Sequence, residues 1–193
     1  MIKLNITREY PSHITKYDNS DKSLYLADYT NQTNSARGFE IFKDTPPSDI
    51  EYVTLQNDIN LLNGFITFDN TSFTTSDGNI LSQCECVIFP EKSNDNSWIF
   101  FAELKYGEKK NNKRNLKKAV SQLFKTRTYY YRKRIFLRTN HCYLLASLPK
   151  QRPPFTNIPQ KDLTRLKKRH NIILKIGNQA KVLSDKMLGL LIV

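Results

Sequence analysis

The sequence predicts an α/β domain in which a mixed sheet is flanked by helices. Three observations lead there. Apolar side chains recur with a period of two between residues 65 and 105 and end in one almost wholly apolar run. Residues 112–134 then switch to three- and four-residue spacing, the period of an amphipathic helix. Past it, apolar runs at 141–148 and 172–176 bracket a short basic helical stretch at 162–169, so strands and helices alternate.

Taken in order, residues 1–47 show short alternating runs at 2–6, 23–29 and 39–42, and end at Pro46-Pro47. They read as an N-terminal extension of unknown role, and residues 48–193 as the core with a basic C-terminal half. Ser48 and Glu51 have capping-box spacing, and Gly64 is a stop, which predicts a helix over 49–63. Strands follow at 65–69 and 80–89, with 71–75 as a continuation or partner and Asp77-Gly78 as a hairpin-type turn. Residues 93–97 turn the chain into 98–105, apolar enough to be buried on both faces in the middle of a sheet. In the helix over 112–134 the buried stripe is Leu116, Ala119, Val120, Leu123, Tyr130 and Tyr131. The strand at 141–148 closes at Pro149 and a Pro153-Pro154 loop, and 186–193 form a final apolar segment. His141, where that strand begins, reads as structural.

No stretch of about 18 apolar residues occurs, and residues 1–10 hold no apolar run of signal-peptide length. A cytoplasmic protein without a membrane partner is expected. Cys84, Cys86 and Cys142 are an odd count, which points to reduced, buried thiols and not to a disulfide framework. The charge is divided unevenly. Before residue 103 there are 7 Lys and Arg against 14 Asp and Glu, a balance of −7; from Glu103 onward there are 23 against 4, a balance of +19. An excess of that size on one half implies a polyanionic partner.

Chemistry concentrates in the hairpin between residues 80 and 105. With its turn near Asn94 or Asp95, Glu85 falls opposite Glu103 or within about one pair of it. Alternation puts Glu103 and Lys105 on one face while Leu104 points away. Two carboxylates and an amine thus converge at the end of an apolar hairpin. The plain alternative is a Glu–Lys salt bridge at a strand end. Burying such charges uncompensated would cost several kcal/mol each. A divalent cation is an economical compensation.

Three segments, Cys84-Glu85-Cys86-Val87-Ile88-Phe89, Trp98-Ile99-Phe100-Phe101-Ala102-Glu103-Leu104-Lys105 and Ala119-Val120-Ser121-Gln122-Leu123, together resemble the PD-(D/E)xK nuclease superfamily. The resemblance spans roughly residues 48–148. It implies a restriction-endonuclease-like core and a Mg²⁺- or Mn²⁺-dependent phosphodiester hydrolase, a DNA endonuclease of restriction, repair or mobile-element type. By the same resemblance Glu85 and Glu103 would be metal ligands, Leu104 would lend its backbone carbonyl, and Lys105 would act on the attacking water and the phosphate. Gln122 matches a helix glutamine of one branch, although Thr126 stands where that branch carries Tyr, with Tyr129 a turn further on. Glu51 is the candidate for an additional acid, with Asp58 behind it; simple capping accounts for Glu51 equally well.

Lys109, Lys110, Lys113, Arg114, Lys117, Lys118 and Lys125 would contact phosphates without reading sequence. The partner is nucleic acid, with DNA favoured over RNA, and cleavage of both strands of a duplex would favour a homodimer. The alternative is a catalytically inactive nucleic-acid-binding module on the same fold. A third reading is a basic RNA-associated protein with an unrelated α/β fold.

Overall fold

A computed structural model describes residues 1–30, 32, 37–151 and 159–190. The chain begins with α1 (Ile2–Glu9), a 3₁₀ turn (Pro11–Lys16), β1 (Tyr17–Ser20), β2 (Leu24–Asp28), β3 (Phe39–Lys43), β4 (Val53–Gln56) and β5 (Asn63–Thr67). It continues with β6 (Cys86–Pro90), β7 (Trp98–Leu104), α2 (Asn112–Arg132), β8 (His141–Ser147), α3 (Gln160–His170), β9 (Ile172–Ile176), β10 (Gln179–Val182) and β11 (Leu188–Leu190). The result is α/β, with two mixed sheets flanked by helices.

The larger sheet has the order β1-β5-β6-β7-β8-β9 and the smaller β11-β10-β4-β2-β3. In the larger sheet pairing is antiparallel from β1 to β7 and parallel from β7 to β9. β7 is therefore central, and all seven of its residues are buried, as its composition requires. Its alternation separates two cores. Ile99 and Phe101 face a layer with Leu116, Ala119, Leu123 and Tyr130 of α2 and Ile2 and Ile6 of α1. Trp98, Phe100, Ala102 and Leu104 face Leu24, Leu26, Val53 and Leu55 of the smaller sheet. The layers run helices, large sheet, small sheet.

Several expectations are corrected. No helix spans 49–63: β4 lies there, hydrogen-bonded to β2 on one side and to β10 on the other. Val53 and Leu55 bury while Thr54 and Gln56 stay half-exposed, so the period is two and the capping-box spacing is incidental. Gly64 stops no helix; it sits in β5, where an added Cβ would come within 2.8 Å of the Tyr17 ring. Residues 2–9 are helical although they alternate, because Ile2 and Ile6 one turn apart are buried while Leu4 between them is 73% exposed.

The segment 71–75 is a turn with one bridge, Thr74 to Ile80, closed around Gly78 at φ 78°. The strand expected over 80–89 begins only at Cys86. In α2 the buried stripe is Leu116, Ala119, Leu123, Thr126 and Tyr130, so Tyr131, 36% exposed, is not a core residue, Val120 packs partly buried against the core, and Thr126 joins it. The first 47 residues supply β1 to the large sheet and β2 and β3 to the small one. Residues 191–193 and the Pro153-Pro154 loop lie outside the described residues. Among the described residues no helix is long and apolar enough to cross a membrane. Cys84, Cys86 and Cys142 are free and buried.

Candidate active site

Register places the two glutamates together. Cys86 pairs with Ala102, so the next position outward sets Glu85 against Glu103. Glu85 N donates to Ala102 O at 3.1 Å, and Glu85 O accepts from Phe68 N at 2.8 Å, which fixes its backbone between two neighbours. Glu85 continues the parity of Val87 and Phe89, and Glu103 that of Ile99 and Phe101; all four apolar residues belong to the helix-side core. Both acids therefore face α2.

Where β6 stops, α2 takes over the positioning. Gln122 Nε2 donates to Gln83 O at 2.7 Å, Cys84 N donates to Thr126 Oγ1 at 2.8 Å, and the Tyr129 hydroxyl donates to Ser82 O at 3.3 Å. Residues 122, 126 and 129 share one face of a helix at these spacings. Together they hold the backbone of 82–84 off the sheet, and Glu85 follows directly.

Lys105 Nζ is ion-paired with Glu103 Oε1. Glu103 is fully buried, and apart from that ion pair neither of its oxygens accepts a hydrogen bond. Burial pushes its carboxyl up to about 7 against the pull of Lys105. Burial, then the charges of Glu103 and Asp28, hold half-buried Glu85 well above the usual carboxylate range. For Lys105 burial works downward, but Glu103 outweighs it and the ammonium is stabilised overall.

A cleft of about 490 Å³ opens beside Glu85, lined also by Gln83, Lys118 and Gln122, while Glu103 and Lys105 lie outside its lining. The side-chain oxygens of Gln83 and Gln122 are both buried without a hydrogen-bond partner. Glu51 does not join the group. It is exposed, precedes β4 and lines a different cleft with Lys150. The acid whose field reaches both glutamates is Asp28, at the end of β2. Sequence reading passed over Asp28, although Leu24–Asp28, like Trp98–Leu104, carries a carboxylate at the end of an apolar strand. Tyr106 ties the two strand ends together: its hydroxyl donates to Glu51 O and accepts from Asp28 N at 3.4 Å.

No family model, curated protein or solved structure matches the chain. Its chemistry has to be judged from the donor set. Among the described residues no three His, Cys, Asp or Glu side chains converge closely enough to hold a metal ion by themselves. Two carboxylates, with the Leu104 carbonyl between Glu103 and Lys105, are still a fitting set for Mg²⁺, which keeps several waters and commonly takes only one or two protein carboxylates. Glu103 Oε2, buried without a partner, is what such an ion would satisfy.

Lys109, Lys110, Lys113, Arg114, Lys117, Lys118 and Lys125 are all exposed. Of these only Lys110 is in a salt bridge among the described residues, to Glu108 at 2.6 Å. Lys118 both rims the cleft and favours the charged forms of the two glutamates. His141 lies half-buried at the start of β8.

Proposed function

We propose that the chain is a metal-dependent nuclease that cleaves phosphodiester bonds, most naturally those of DNA, on a restriction-endonuclease-like core. The observation that carries this is the pairing of buried Glu103, whose carboxylate has no donor besides Lys105, with Glu85, which lines a cleft rimmed by Lys118 and Gln122. A fully buried carboxylate beside a half-buried one is a poor structural device and a good cation site. Glu85, Glu103 and the Leu104 carbonyl would hold Mg²⁺ or Mn²⁺. Such an ion, when bound, supplies Lewis-acid neutralisation of charge on the phosphoryl oxygens.

The chain's own residues do the rest. Lys105, held on the glutamate face by its ion pair, offers a proton donor and a positive charge where charge builds on the phosphate. Gln122 fixes the backbone that carries Glu85 and keeps a free carbonyl oxygen in the cleft wall. Lys118 and the exposed cations of α2 draw in and orient the polyanion.

One observation favours the second reading, a nucleic-acid-binding module without turnover: Glu103 has no solvent exposure at all. Cleavage of single- and double-stranded DNA and RNA in Mg²⁺ or Mn²⁺, against EDTA, separates the two. The nuclease reading expects cleavage that EDTA abolishes and that Glu103→Ala or Lys105→Ala removes with binding retained. Equal cleavage by wild type and Glu103→Ala rejects the mechanism.

A further inference from the structure

Toward the C-terminal end of α2 lies a second cleft, of about 450 Å³, lined by Arg127, Tyr131, Arg138, Arg169 and His170. Four of its five walls are basic and none is acidic. Three separate elements supply them: α2, the loop before β8, and the last turn of α3. Asn171 holds the last two together. It caps α3 in the left-handed conformation at φ 53° and donates from Nδ2 to Thr139 O at 3.0 Å and Asn140 O at 3.1 Å.

Cations at a helix C-terminus complement the macrodipole, which accounts for Arg169 and His170. It does not account for Arg138 or Arg127. The Arg127 guanidinium is fixed over the Tyr131 ring, 4.4 Å from its centroid, and its Nε is buried without a hydrogen-bond partner. Among the described residues none of the four basic side chains is in a salt bridge. Arg127 also reaches the buried Cys142 thiol, and Arg138, Arg169 and His170 are exposed to water, but with the unpartnered Arg127 Nε they converge on one cleft as a donor set suited to an anion.

We propose that this cleft binds a phosphate group, supplied by a nucleic-acid strand that crosses α2, with Tyr131 against the adjoining sugar or base. Lys118 and Arg127 are nine residues apart, which is two and a half turns and about 14 Å of helix. They therefore face opposite flanks of α2, and one phosphate cannot serve both clefts. Of the exposed cations, Lys125 lies between the two along the axis and Lys117 between the two flanks around it. The strand as the source of the phosphate rests on the reading above; the phosphate site itself does not.

The test uses the full chain in EDTA, so its result is independent of cleavage. Inorganic phosphate is titrated against chloride at matched ionic strength while the His170 ring is followed by NMR, its signal identified by its loss in His170→Gln. The signal should move in wild type and stay still in Arg138→Ser/Arg169→Ser, whose substitutions lie on the surface. An unmoved signal in wild type overturns the site. With a 5′-labelled oligonucleotide, the same double variant should lower the slope of log K against log salt by about 1 or more. A phosphate response with an unchanged oligonucleotide slope keeps the site and overturns the strand as its source.

Discussion

Glu103→Gln should remove a pH-dependent weakness from the fold. Glu103 holds its proton more tightly when folded than when unfolded, so its contribution to stability is complete below about 4.5 and is lost as pH climbs through about 7. The step from the ordinary 4.5 to about 7, at 1.36 kcal/mol per pH unit, is worth about 3 kcal/mol. Gln has the shape of the protonated acid and cannot lose that proton. Urea midpoints measured in EDTA should match for wild type and Glu103→Gln at pH 5. At pH 8 the variant should be the more stable by about 3 kcal/mol. If the pair is a cation site, Mg²⁺ at a hundred times its Kd should return about 2.7 kcal/mol to wild type at pH 8 and nothing to the variant. Parallel pH profiles for the two proteins would refute the reasoning, because the buried carboxyl would then not be the group that titrates.

Other outcomes follow from individual contacts. Thr126→Val leaves the buried Cys84 N–H without an acceptor and should cost about 1–3 kcal/mol by thermal melting, with Thr126→Ser largely neutral. Phe100→Ala, in the packing between the sheets, should lower stability by about 3–5 kcal/mol in urea titrations. The three thiols should stay unlabelled by an aromatic disulfide reagent until the chain unfolds, since burial pushes all of them up, Cys142 to about 12; labelling of native protein within minutes contradicts that. Lys113→Glu/Lys117→Glu, both exposed and, among the described residues, outside any salt bridge, should weaken oligonucleotide binding and flatten its salt dependence without moving the urea midpoint.

The centre of the fold was legible because its signals are local. Trp98–Leu104 is apolar throughout, and α2, β8, α3 and β9 declare their periods within single windows. The hairpin geometry that sets Glu85 opposite Glu103 followed from turn position alone. What was not legible depends on distant pairing. β4 reads as helix until β2 and β10 bind its edges, and β10 itself, Gln-Ala-Lys-Val, has no pattern outside that sheet. β1 is a polar Tyr-Asp-Asn-Ser, a strand only because β5 offers it an edge. Asp28 was missed for the same reason: nothing near it in sequence says that its strand end meets that of β7.

The small sheet is stitched from both ends of the chain. β10 lies parallel to β4 with Gln179 beside Thr54, so closing it spans 125 residues. Pairing across that length costs more chain entropy than the local hairpins of the large sheet. The only tryptophan stands where the stitch is tied off: the Trp98 indole donates to Ser184 O at 2.8 Å, and its main-chain N–H to Asp185 O at 3.3 Å. Its emission should consequently report whether the small sheet has closed against the large one.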